Sequence, residues 1–448
     1  MNKKTIIIIL LTLGVLLAVH RAYRVDPDTV TVRYLNQETD PAVVTVKRGW
    51  TQSFASAHPG TRVVLESAAN ITQRIATYVQ TGAPMDVIHA DGGSAAMLAA
   101  TGNLLPIDDV VEALGGREAF LPGRLLIVDD KVYAINQAAA VPVLHYRKDL
   151  FEAADLDPPT TWEELLHATN RLHTDEVAGL ALPGGENRAT TIFAGIFLWQ
   201  NCGDFFNPSL EVTIDNERTH EAMRFYAQLL RLAPPDAGAW AFTEPIESFW
   251  AGRAAMVFLW NGLDLTLRQN PALIENIGVV PMPAGRMRAT EQGGRYVCVY
   301  ARSAVPELAK EWVGHIFARE NALRLTEIQP MLYPPATYDV LDDLRHSTAP
   351  AIEAYGDLLF DVVYPSADFA YNQIFNGGGI DPETCAIRQT GVLNPYVNVL
   401  WNSNLYARAI QRIAYEGWTP QRAASAAQEA LERQVEVSRR EMRAVGYD

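Results

Sequence analysis

Polar residues that stand where short apolar runs end are the ones in this chain best suited to chemistry. Val87-Ile88 leads to His89, Asp91 and Gly92, just ahead of a helix-compatible stretch that starts at Gly93 or Ser94. Ligands of open α/β sheets bind outside the carboxyl ends of strands, so Asp91 and His89 are candidate ligand contacts. Capping of the following helix is the competing role for Asp91. Asn36 and Gln37 hold the same position behind the run Val30 to Leu35, and Trp260 follows the apolar run Ala254 to Leu259. Planar polar groups pair with the polar edge of a ligand, and an aromatic face covers its apolar side. Trp260 is therefore the leading stacking candidate, against the alternative of a core aromatic beside Phe258. Gly293-Gly294 would bring backbone N–H donors close to a ligand, with Arg295 adjacent, although a simple turn accounts for the glycines almost as well. Tyr333 beside Pro334-Pro335, Tyr364 beside Pro365, and Trp401 are further aromatics for a cleft rim or for core packing.

Nothing in the chain points to a reaction, a metal or a cofactor. His220-Glu221 lacks the second histidine of HExxH, and Gly92-Gly93-Ser94 has Ala96 where a nucleophile elbow needs glycine. A glycosidase carboxylate pair depends on separation in space, which sequence does not fix. Cys202, Cys298 and Cys385 have no metal spacing; at most one disulfide can form, and each reads first as a small buried hydrophobe.

The elements that must position the candidates alternate. Val30 to Leu35 reads as a strand, a helical stretch carries Trp50 and Phe54, His58-Pro59-Gly60 turns into a strand over Thr61 to Leu65, and Ile71, Ile75, Tyr78 and Val79 share one helical face. This alternation predicts a mainly parallel sheet with helices on both faces. At 448 residues the chain exceeds one compact core, so two lobes are expected. The net charge of −15 disfavours nucleic acid and anionic lipid as partners of the bulk surface, while leaving a pocket free to hold an anion through local arginines. Lys3-Lys4 followed by the apolar run Ile6 to Val19 has the form of a secretory signal, too short for an ordinary span of roughly twenty residues. Without a clean cleavage site or a lipoprotein cysteine, it can also be read as an uncleaved anchor.

The strand-end segment from Gly82 to Asp108, with Gly102-Asn103-Leu104-Leu105-Pro106-Ile107-Asp108 at its end, resembles the family 1 extracellular solute-binding proteins, the carbohydrate-capturing components of ABC importers. So do the crossover Val141 to Phe151, the stretch Pro158-Pro159-Thr160-Thr161-Trp162-Glu163-Glu164-Leu165, the strand Gly252 to Trp260, the return Ile277 to Pro283, and the closing Gly417-Trp418-Thr419-Pro420 helix start. Thr161 and Glu164 also have capping-box spacing. Resemblance covers most of residues 30 to 432. Two stretches depart from the pattern: alanines at 138 to 140, where relatives often carry Ser or Thr, and the glycine triplet Gly377 to Gly379, read as a surface loop or a flap.

The resemblance implies an α/β, two-lobed periplasmic-binding-protein-like fold of type II. Residues 1–24 would be a signal peptide or anchor, 25–140 and 281–335 one lobe, and 141–280 with 336–448 the other. Crossing strands are expected near 137–145 and 278–284, with a further crossing near 330–340. It also implies an exported, non-enzymatic monomer that holds a sugar, oligosaccharide or polyol between its lobes and passes it to ABC permease subunits. A membrane-tethered carbohydrate-active enzyme and a ligand sensor of the same fold are the alternatives.

Overall fold

The computed structural model describes residues 29–68, 70–374, 379–387 and 393–444. The N-terminal leader, anchor or membrane association read above, and the first two glycines of the triplet, lie outside the described residues.

The first sheet has six strands: β1 (Val30–Asn36), β2 (Thr61–Ser67), β3 (Val87–Asp91), β4 (Leu125–Val128), β5 (Lys131–Asn136) and, after a long excursion, β10 (Arg295–Val299). Their order is β2-β1-β3-β10-β5-β4. Period-two side chains split each strand between two layers. Val32 and Tyr34 of β1 pack with Trp50, Phe54 and Trp312, the Trp312 ring meeting those of Tyr34 and Phe54 edge-on at 5.7 and 5.2 Å, while Leu35 faces the opposite core. The first crossover helix, Pro41–Ala57, starts with proline in its first turn and is capped by the Asp40 carboxylate, which accepts from the Ala42 and Val43 N–H groups. The next, Ile71–Thr81, stops at Gly82, whose φ of 68° a residue with a Cβ rarely adopts.

A second sheet, in the order β7-β6-β8, comprises β6 (Val143–Arg147), β7 (Met256–Leu259) and β8 (Ile277–Val280), both pairings antiparallel. Between the sheets lies the short parallel pair β9 (Thr290–Glu291) and β11 (Ala370–Tyr371). Only β2, β1 and β3 are parallel in the first sheet, which corrects the mainly parallel expectation. The cause is where the chain re-enters: Arg295 pairs with Asp91, so β10 begins at the edge where β3 ends and must run the other way. The crossing segments also differ from the sequence reading. β6 and β8 belong to the second sheet, and the chain passes between sheets through 137–142 and 281–294, the latter carrying β9.

The buried helix Arg188–Gln200 runs through the second lobe with Phe193, Phe197 and Trp199 in its core, packed against Glu217–Leu230 and Leu405–Tyr415, which in turn carry the long helix Pro420–Ala444. The Thr161 capping box is present: its hydroxyl accepts from Glu164 N–H at 3.2 Å, and the Glu164 carboxylate accepts from Thr161 N–H at 3.1 Å. Cys202 and Cys385 form a disulfide across 183 residues, which corrects the reading of both as free hydrophobes. Cys298 is a buried free thiol, as read. The bridge pins the segment after the glycine triplet to the end of the helix Arg188–Gln200.

Candidate functional site

The carboxyl edge of β1 and β3, the start of β10 and the end of β5 face one way, toward the segment that follows β7. Two groups of side chains occupy this edge.

One is a buried network within the first lobe. Asn36 Oδ1 accepts from Lys47 Nζ at 2.9 Å and lies 2.9 Å from His89 Nδ1, while its amide donates to the Glu38 carbonyl and the Ser67 hydroxyl. Glu38 takes the Arg295 guanidinium and the Tyr333 hydroxyl. Burial alone would raise the Glu38 carboxyl, but Arg295 and the Tyr333 hydroxyl outweigh it and bring its pKa down to about 2. Burial lowers Lys47 to about 7 against the pull of Glu38, and holds His89 well below its ordinary value, so the imidazole is neutral at pH 7. Asn36, His89, Arg295 and Tyr333 thus point into the lobe and fix the ends of its strands. Gln37 extends the edge: its N–H donates to the His89 carbonyl at 3.0 Å, and its buried side-chain oxygen has no hydrogen-bond partner among the described residues. Asp91 caps the helix Gly92–Ala100, accepting from Ser94 N–H at 3.1 Å, the Ser94 hydroxyl at 2.9 Å and the Thr72 hydroxyl at 3.0 Å. Both carboxylate oxygens are occupied, which favours capping over ligand contact.

The second group lies between the sheets. Trp260 is half-buried, its ring 4.7 Å from Phe193 and 5.8 Å from Phe242, and its Nε1 donates to Glu291 Oε2 at 3.1 Å. Glu291 is buried on β9. Burial raises its pKa to about 7, with the indole N–H and the Arg188 charge opposing the rise. Gly293 donates its N–H to the Ala140 carbonyl at 3.2 Å, and a Cβ there would stand 3.3 Å from Glu291 Oε2 and 3.7 Å from the Trp260 nitrogen. Gly294 is packed against the Tyr296 ring and the Asn136 amide, so a methyl group cannot be accommodated without displacing them. The Arg188 guanidinium lies 4.7 Å from the ring centroid of buried Trp401. Trp401 belongs to the helix Val397–Ser403, whose Asn398 packs on Gly93 of the first lobe's capped helix. Tyr364 stands apart, beside the 137–142 crossing, its hydroxyl donating to the Pro330 carbonyl at 3.1 Å.

The structure therefore brings Trp260, Gly293 and Trp401 toward one region and leaves the first-lobe candidates in a supporting network. Sequence reading missed Glu291 and Arg188. Glu291 stands two residues before the glycine pair that drew attention, and Arg188 is the one charged residue of its helix; the influence of Arg188 on the Glu291 carboxyl across the fold has no local sign. Among the described residues no cluster could hold a metal ion, and no helix is long and apolar enough to cross a membrane.

A model of the bacterial extracellular solute-binding proteins matches residues 36–322, more than half of the chain. The chain belongs to this family. Membership implies an exported location, in the periplasm or at the cell surface. Solved relatives share the fold: the GacH receptor of Streptomyces glaucescens, described unliganded and with acarbose, has a TM-score of 0.73 at 19% identity over 91% of this chain and 99% of its own. Maltose-bound MalE3 of T. maritima gives 0.73 at 19% over 90% and 99%, and an Agrobacterium vitis protein with bound D-mannitol gives 0.69 at 19% over 92% and 99%. These matches bear out the two-lobed α/β expectation. In sequence, the chain is 26% identical over 44% of its length to a probable amino-acid ABC transporter periplasmic-binding protein of Sinorhizobium fredii, and 29% identical over 32% to the putative ABC transporter periplasmic-binding protein YcjN of Escherichia coli. It spans 46% and 34% of those two relatives' own lengths.

Proposed function

We propose that this protein captures a carbohydrate or polyol between its two lobes and delivers it to the permease of an ABC importer. The observation that carries the reading is Trp260. Its indole is fixed by Phe193, Phe242 and a hydrogen bond to Glu291, and it stands beside the side-chain-free Gly293. A rigid aromatic face next to a carboxyl group and a side-chain-free backbone suits the alternating C–H and hydroxyl surface of a sugar. Acarbose, maltose and D-mannitol in the structural relatives support the same class.

In this reading Trp260, Gly293, Trp401 and, at the first lobe's edge, the oxygen of Gln37 face the solute, while Gly294 packs against Tyr296 and Asn136. Asn36, His89, Arg295 and Tyr333 hold the first lobe's edge in shape, and Asp91 sets the helix Gly92–Ala100. The lobes divide as 25–140 with 281–335 and 141–280 with 336–448, and the protein acts as a monomer. Residues 1–24 serve as export signal or anchor.

A thermal-shift screen over monosaccharides, oligosaccharides, polyols, glycerol phosphates and amino acids tests the reading. A ligand that binds only the native state raises Tm by mass action. Shifts confined to sugars or polyols support it; shifts confined to amino acids, as the name of the Sinorhizobium relative would suggest, overturn it.

A further inference from the structure

Beside the 137–142 crossing lies a cavity of about 120 Å³, distinct from the Trp260 side of the same segment. Its walls are mostly apolar, with Leu121, Ala140, Pro334 and Ala367 among them, and into it projects Arg124. Arg124 is only 6% exposed, and among the described residues its Nε and Nη1 find no hydrogen-bond partner. No carboxylate forms an ion pair with it among the described residues; Asp368 lines the cavity but is exposed.

A buried, unpaired guanidinium is costly, and arginine does not escape the cost by losing its proton. Burial lowers its pKa only to about 10, so the charge persists at pH 7. The nearby Tyr296 and Tyr364 hydroxyls are neutral there, burial holding both above their ordinary value. The pocket thus has room, an apolar wall and a fixed positive charge with idle donors.

We infer that this hinge cavity binds a small anion, a carboxylate or phosphate group, through Arg124. The planar fork of the guanidinium matches either group with paired hydrogen bonds. Ala140 comes from the 137–142 crossing and Pro334 from the segment that follows the helix Arg319–Ile328, so an ion seated there would touch both. The inference goes beyond the sugar-binding reading and, for a free ion, does not depend on which solute the cleft takes. The anion has two possible sources, a free ion or an acidic substituent carried by the captured solute.

The test uses the full chain at constant ionic strength, with inorganic phosphate and acetate compared against chloride. For a free ion, phosphate or acetate raises the wild-type Tm by on the order of 2 °C and leaves Arg124→Met unmoved. For a substituent, a uronic acid or sugar phosphate outbinds its neutral parent at least tenfold in the wild type and binds equally to it in Arg124→Met. In chloride alone the Met variant melts at or above the wild type, because it loses an unpaired buried charge. Ala367→Leu fills the cavity while keeping Arg124, and it abolishes the response in the same way should the Met variant fold poorly. A response that survives in the folded variants, or no anion dependence in either arm, overturns the assignment.

Discussion

Replacing Glu291 with glutamine removes one ionisable proton and little else, and its effect follows from the burial of that carboxyl. Burial raises its pKa from the ordinary carboxyl value near 4.5 to about 7 in the folded state. A raised carboxyl pKa means the folded state keeps its proton where the unfolded chain has already lost it. The contribution to stability is therefore full below pH 4.5 and is lost as pH rises through 7. The shift of about 2.5 units at 1.36 kcal/mol each gives about 3 kcal/mol lost by pH 8. Glutamine has the shape of the protonated acid and keeps a carbonyl to accept from Trp260 Nε1. Glu291→Gln should match the wild type at pH 4.5 to within about 1 kcal/mol, and exceed it by about 3 kcal/mol at pH 8. Urea melts of both proteins at half-unit steps from pH 4.5 to 8 give the comparison directly. Asp204 and Asp264, also raised to about 7 by burial, keep part of the wild-type slope in the variant. Parallel profiles for the two proteins would refute the argument, because they would mean that Glu291 ionises alike in the folded and unfolded states.

Trp260→Ala should weaken solute binding by about 1–3 kcal/mol in calorimetry while leaving the fold intact, the range for losing a buried aromatic anchor. Asp91→Ala should cost about 1 kcal/mol of stability in denaturant melts with solute affinity unchanged, since its carboxylate caps a helix; affinity loss at constant stability would restore the ligand role. Gly93→Ala places a methyl group against Asn398 and so pushes apart the helices Gly92–Ala100 and Val397–Ser403. Small-angle scattering should show a larger radius of gyration for that variant than for the wild type at equal solute concentration, and an equal radius would count against that contact closing the cleft.

Much of the fold was legible because local chemistry states it. The capping box at Thr161, the strand end at Asp91 and the ordered series of short motifs each carry their own signature. The antiparallel return of β10 was not legible, because its direction depends on where a chain that left at Asn136 comes back 159 residues later, at Arg295. The disulfide has the same character, joining Cys202 to Cys385 across 183 residues. Within the site, Trp260 could be found from the strand it follows. Glu291 and Arg188 could not, because their significance lies in mutual placement across three segments. Arg295 shows the opposite error: a charge beside glycines suggested a ligand contact, yet the fold turns it inward onto Glu38.

Calorimetric titration of the wild-type protein with the sugar or polyol giving the largest thermal shift tests the central claim most directly. The account predicts saturation at one site per chain, with the heat falling to the dilution baseline and the solute recovered unchanged. Sustained heat with conversion of the sugar would identify an enzyme, and saturable heat from amino acids with none from any sugar or polyol would show that the cleft serves a different solute.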